Sequence, residues 1–177
     1  MANYYVLDAS RNVKEYISII DGTKELETAC QMSEFQFLTT KAVTIEVDED
    51  SGRIFQDFIY DNGVPVMSDR MKEYMDKLEV DYLFYKKLIL TKKELGIEEI
   101  YWLALPQRIK CLNKEESEID EILNIADEIV INQQRVGRFK IFKLADVGNW
   151  EIILSEDMAQ ALKTQDFRGV HIYEINS

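Results

Sequence analysis

The feature that most constrains the fold is one local pattern that occurs twice, in residues 64–78 and 151–163. In each copy a short apolar strand ends at a Ser, and an acid and a helix with one apolar stripe follow. Ser68 and Ser155 can each cap that helix, because a Ser hydroxyl accepts a backbone N–H of the first turn. The acid then lies where the helix dipole favours negative charge. We therefore predict two strand–Ser cap–helix units, related by an approximate internal repeat.

Outside these two units, most of the chain has the pattern of strands separated by turns. The segment Asp61-Asn62-Gly63 is a strong turn signal, and no Pro-, Gly- or Ser-rich linker divides the chain. We predict a single α+β domain over residues 1–177, with a mostly antiparallel or mixed sheet and few helices. The predicted strands are Tyr4–Leu7, Ala42–Val47, Ile54–Tyr60, Tyr82–Leu90, Ile100–Leu105, Ile109–Leu112 and Gly169–Ile175.

Three segments give weaker patterns. Residues 11–40 show little clear period, although Tyr16–Ile20 has the composition of a strand. Lys114–Glu121 is dense in acids and fits either a loop or a short helix. Residues 129–131 and 139–142 are predicted to form a hairpin around Arg135-Val136-Gly137.

Charge limits the classes of partner. The chain has 33 acidic and 21 basic residues, for a net charge of −12 that is spread along its length. No basic cluster is present for nucleic acid or anionic lipid. No run of about 18 apolar residues predicts a membrane span, and the first ten residues lack the pattern of a secretory signal. We therefore expect a cytoplasmic protein that binds neither nucleic acid nor membrane.

The residue types that usually carry catalysis or bind metals are scarce. The chain has two Cys, with no CxxC pair, and His171 is its one His, so a structural zinc site is excluded. Cys111 lies in an apolar segment without an activating His, which favours a buried structural role. A calcium loop starting at Asp48 fails, because its sixth position is Arg53 and its twelfth is Ile59. We predict no catalytic, cofactor-binding or metal-binding residues.

Two acid clusters remain as candidate sites. Either could be a solvated surface or an acidic face for a basic partner, and the second could also supply paired catalytic carboxylates. The acids of the first cluster are Asp48, Glu49 and Asp50, and those of the second are Glu115, Glu116, Glu118, Asp120 and Glu121.

Several short segments, taken in order and spacing, carry a resemblance to a known family. They are Asp57-Phe58, Pro65-Val66-Met67-Ser68, Lys110-Cys111-Leu112-Asn113 with Ser117, Arg138-Phe139-Lys140-Ile141-Phe142, Ile152-Ile153-Leu154-Ser155 and Gly169-Val170-His171-Ile172-Tyr173. With these segments the chain resembles a bacterial immunity family of polymorphic toxin systems, the eleventh in the usual numbering. The resemblance spans roughly Ile45 to Ile175, and residues 1–40 match more loosely.

The resemblance implies a non-enzymatic protein that binds and neutralises a cognate toxin, usually encoded beside it, with no cofactor. On that interpretation, the acids of the first cluster or those of the second contact a basic toxin domain, and aromatic or Arg anchors supply affinity. Two other functions remain open. One is a carboxylate-dependent hydrolase, which lacks any nucleophile–base or metal pattern here. The other is a structural or regulatory subunit without a toxin partner.

Overall fold

The structure is a computed structural model that describes residues 3–10, 12, 14–19, 24–32, 34, 38 and 41–176. These residues form helices and strands, and the strands pair into mixed sheets. This confirms the predicted α+β class. The strands are β1 (Tyr4–Ala9), β2 (Val43–Glu46), β3 (Phe58–Asp61), β4 (Val64–Ser68), β5 (Leu83–Lys92), β6 (Ile97–Pro106), β7 (Arg108–Ile109), β8 (Glu118–Asp120), β9 (Ile125–Glu128), β10 (Ile141–Leu144), β11 (Ile152–Ser155) and β12 (Val170–Glu174). The helices are α1 (Lys24–Met32), α2 (Asp69–Lys77), α3 (Gln133–Val136) and α4 (Glu156–Lys163).

The chain divides into two compact units that alternate along the sequence. Unit A takes the described residues up to Leu7, then residues 106–166, and those from 172 onward. Unit B takes the described residues from 8 to 105 and residues 167–171. Whether the whole chain behaves as one domain stays a prediction.

Unit B is built on a five-stranded sheet in the order β2-β5-β6-β4-β3. β2 and β5 pair in parallel, whereas β4 pairs antiparallel with both β3 and β6, so the sheet is mixed. Helix α1 buries Leu26, Ala29 and Cys30 in a hydrophobic core that also contains buried residues of this sheet. These residues have the i, i+3, i+4 spacing of an amphipathic helix, so the sequence signal for α1 was present in a segment for which no helix was predicted.

Unit A contributes most of the second five-stranded sheet, in the order β12-β1-β11-β10-β7, and also the separate β8–β9 pair. β11 is antiparallel to β1 and β10, and β10 is parallel to β7. Its core includes Cys111, Leu112, Phe142 and Ile153, each fully or almost fully buried.

The two predicted strand–Ser cap–helix units are confirmed. β4 and β11 each have two antiparallel neighbours, and each ends at a Ser that begins a helix. The backbone angles of Ser68 (φ −64°, ψ 161°) and Ser155 (φ −66°, ψ 160°) are nearly the same. Their hydroxyls differ, since Ser68 accepts the N–H of Met71, whereas Ser155 makes no such bond and donates to the carboxylate of Asp157.

The hairpin predicted around Arg135-Val136-Gly137 is wrong. Residues 133–136 form helix α3, because the Asn132 side chain accepts the N–H of Gln134 and caps it. Leu112 instead pairs with Ile131, and β10 pairs with β11 and β7. The acidic segment 114–121 is also not a helix, since turns lead into strand β8.

Candidate functional site

The first acid cluster, Asp48 to Asp50, is a turn that a buried lysine holds in place. The ammonium group of Lys92 donates to the carbonyls of Asp48, Ser51 and Gly52 at 3.2, 3.0 and 2.9 Å. The Asp48 carboxylate accepts the N–H of Asp50 at 2.9 Å, and only Glu49 and Asp50 are fully exposed. The turn is therefore organised by its own contacts.

Positive charge lies close to this turn along the chain and in space. Lys93 pairs with Glu46, and Arg53 pairs with Glu94 at 3.8 Å. Each of these cations is paired with an acid outside the turn, so the two pairs add no net charge, and the Lys92 ammonium group is the cation that offsets part of the turn's own charge. Surface pairs of this kind also add little stability.

The second acid cluster belongs to the β8–β9 hairpin, which we call the acidic hairpin and define as residues 114–128. It carries seven acids and one base, Lys114, for a net charge of −6. No basic side chain in the described part of the chain forms an ion pair with these carboxylates. The acids are Glu115, Glu116, Glu118, Asp120, Glu121, Asp127 and Glu128, and all except the half-buried Asp120 are exposed.

The strand register sets two of these acids against each other. Glu118 lies directly opposite Glu128, and the register shifts between Glu118 and Ile119. Like charges directly opposite each other on a strand pair are destabilising. The acidic hairpin therefore carries a repulsion that a cationic partner would relieve.

The tip of the acidic hairpin is apolar and was not predicted as part of a site. Ile122 is 94% exposed and Leu123 is 65% exposed. One oxygen of Asp120 accepts the N–H groups of both residues, at 2.8 and 2.9 Å. An apolar pair between an acid run and Asn124 was the available sequence signal, but an apolar pair is more often buried.

Contacts at the base of the acidic hairpin fix it to unit A. The buried side chain of Asn149 accepts the N–H of Ala126 at 2.8 Å and donates to its carbonyl at 3.0 Å. Ser117 accepts the N–H of Val130 at 3.0 Å, and Asn113 donates its N–H to the Val130 carbonyl at 2.8 Å. Asn113 and Ser117 lie in one of the segments that carry the family resemblance, so that segment supports the hairpin.

Asp57, in another of those segments, is a buried junction in unit B. Its carboxylate accepts the Ser68 hydroxyl at 2.6 Å, a guanidinium N–H of Arg70 at 3.1 Å and the Arg168 N–H at 2.8 Å. The Arg70 guanidinium also lies 4.9 Å from the ring centroid of Phe167. Because the Asp57 carboxylate is buried and accepts three hydrogen bonds from its own unit, this junction is structural.

The residues considered for chemistry lie apart from any catalytic arrangement. Cys111 is fully buried, and burial raises the pKa of its thiol to about 12, so it is a poor nucleophile. His171 is exposed and lines an open cavity of about 550 Å³ in unit B, together with Asp8, Ser10 and Tyr16. Among the described residues, no group of three His, Cys, Asp or Glu could hold a metal ion.

The two predicted acid clusters belong to different units, the turn to unit B and the acidic hairpin to unit A. The described residues contain no helix of the length and apolarity that crossing a membrane requires.

Comparison with curated proteins finds no match. A family model of immunity proteins, Imm11, matches residues 8–177, and so extends well upstream of the segments that carried the resemblance. The chain therefore belongs to the Imm11 immunity protein family, and its function is toxin-neutralising immunity.

Proposed function

We propose that the chain neutralises its toxin without catalysis, by placing the acidic hairpin of unit A against a basic toxin domain. Family membership supports a toxin partner and an inhibitor role. The toxin would be encoded beside this chain in a polymorphic toxin system, and binding would take place in the cytoplasm.

The observation that carries this proposal is the uncompensated charge of the acidic hairpin. Its seven acids and one base supply half of the chain's net charge of −12, on 15 consecutive residues. A cationic surface would relieve the repulsion between Glu118 and Glu128, which the free chain must tolerate. The hairpin therefore gains more from a basic partner than a neutralised surface would.

The turn at Asp48–Asp50 is the weaker of the two predicted contact sites. Lys92 binds the carbonyls of Asp48, Ser51 and Gly52, and so places one positive charge beside the three acids of the turn. The turn therefore carries less net negative charge than the hairpin, and it provides a matched control for it.

The test compares charge reversals in the two clusters. One variant carries Glu118→Lys and Glu121→Lys in the hairpin, and its control carries Glu49→Lys and Asp50→Lys in the turn. The probe is the toxin domain encoded by the gene beside this chain. Because exposed charges mainly speed encounter, we expect the hairpin variant to lower the association rate about tenfold or more at low salt. Its association rate should also depend less on salt, and the control should lie within about threefold of the wild type.

Growth of cells that express the toxin domain gives the functional readout. Wild-type chain should restore growth, and the hairpin variant should restore it only at higher expression. Equal association rates for the two variants and the wild type would exclude the hairpin as the electrostatic contact. Failure of the wild-type chain to bind the toxin domain would reject the proposal as a whole.

A further inference from the structure

We infer that Ile122 and Leu123 form an apolar anchor that enters a pocket on the toxin, and that basic residues surround this pocket. This inference rests on the proposed function and adds to it the element that holds the complex together. Charge at the hairpin would set how fast the partners meet, whereas the apolar tip would set how long they stay bound.

The exposure of the tip is the first step in the argument. Ile122 is 94% exposed, and its neighbour Leu123 is 65% exposed. The other exposed large apolar side chains of the described residues, such as Ile100 at 44%, are covered to half or more. Two adjacent aliphatic side chains held in water would gain free energy from burial in a partner, and the acids that flank them provide a polar rim.

The backbone of the tip is already ordered in the free chain. Asp120 accepts the N–H groups of Ile122 and Leu123, and Gly148 donates its N–H to the carbonyl of Asn124 at 2.6 Å. Since these bonds hold the backbone of the tip in place before binding, little backbone entropy remains to be lost on association. A preordered anchor gives slow dissociation for a small contact area.

The charge around the tip indicates which kind of partner the tip binds. A second copy of this chain would bring two hairpins of net charge −6 together, and an anionic membrane would repel the same acids. A protein surface with an apolar pocket and a basic rim matches both the tip and its flanks. The toxin is the one partner that family membership supplies.

The test is a double variant, Ile122→Ser with Leu123→Ser, measured against the toxin domain encoded beside this chain. Ile100→Ser, which removes an exposed Ile from β6 of unit B, is the matched control. We expect the double variant to dissociate roughly 100-fold faster with an association rate within about threefold of the wild type. The control should match the wild type in both rates, and all three proteins should remain folded at the temperature of the binding assay, which thermal unfolding checks.

Each alternative has its own outcome. Wild-type dissociation kinetics in the double variant, with binding by the wild type intact, would overturn the anchor and leave the proposed function standing. Concentration-dependent mass in light scattering that the double variant abolishes would assign the tip to a second copy. Binding to vesicles of phosphatidylcholine and phosphatidylserine that the double variant abolishes would assign it to a membrane. Either of these last two results also overturns the inference.

Discussion

Ser68 and Ser155 occupy the same position in the two strand–Ser cap–helix units, but their hydroxyls make different hydrogen bonds. The Ser68 hydroxyl accepts the Met71 N–H at 3.1 Å and donates to the buried carboxylate of Asp57 at 2.6 Å. Ser155 makes no bond to a helix N–H and donates only to the exposed Asp157. We predict that Ser68→Ala destabilises the chain far more than Ser155→Ala does.

The magnitudes follow from the bonds that each substitution removes. Loss of the Ser68 cap costs about 1 kcal/mol. Loss of a hydrogen bond to the carboxylate of Asp57 costs about 1.5 to 2 kcal/mol more. Ser155→Ala removes one exposed local bond and costs about 0.5 kcal/mol or less. For a chain of this size the Ser68 change lowers the unfolding temperature by roughly 5 to 12 °C, and the Ser155 change by about 2 °C or less.

Urea unfolding at neutral pH, followed by circular dichroism, measures both free energies of unfolding. A double-mutant cycle between Ser68→Ala and Asp57→Ala then isolates the bond between these two side chains. We expect a coupling of at least about 1 kcal/mol. Equal losses for the two Ser variants, or a coupling near zero, would refute the argument that Ser68 both caps α2 and holds Asp57.

Three further predictions concern stability. Lys92→Met should cost about 2 kcal/mol in urea unfolding because three carbonyls lose a charged donor, whereas Lys93→Met at an exposed neighbour should leave the free energy of unfolding unchanged within experimental error. Because burial raises the pKa of Cys111 from 9.0 to about 12, its thiol ionises first in the unfolded chain, so the free energy of unfolding should fall between pH 9 and pH 12. The fall should be shallower in Cys111→Ala, compared by urea titration at pH 8, 9 and 10. Gly169→Ala should cost about 3 kcal/mol in thermal unfolding, because φ is +71° and its Cβ would lie 2.6 Å from Gln56. Gly96→Ala, at φ +60° in open space, should cost about 1 kcal/mol.

The parts of the fold that could be predicted depend on neighbours in sequence. The strand, the Ser and the first helical turn lie within a few residues of each other, so both units were predicted with correct helix starts. The hairpin around Gly137 failed because the same Gly signal ends a helix when Asn132 caps the residues before it. Two competing local structures share one signal there, and in the observed structure Ile131 pairs with Leu112, which lies outside that segment.

The candidate site was also predicted only in part, because composition marks the acidic surface but not the exposure of the apolar tip. A dense run of acids marked residues 115–121 as a surface, and their placement on an exposed hairpin agrees with that. The apolar tip could not be read from composition, because Ile and Leu usually lie in the core. The structure shows that Ile122 and Leu123 face water, in a turn that the Asp120 carboxylate organises.

The junction at Asp57 has a consequence for the order in which the chain acquires its structure. The Arg168 N–H that Asp57 binds lies 111 residues further along the chain. At the usual rate of translation, roughly 5 to 20 seconds pass between synthesis of the two residues. During that interval the carboxylate has Ser68 and Arg70 nearby but lacks its third donor, so this junction of unit B is unfinished. We therefore expect the junction to be completed only after residues 167–171 have been synthesised, late relative to the first strands of the same unit.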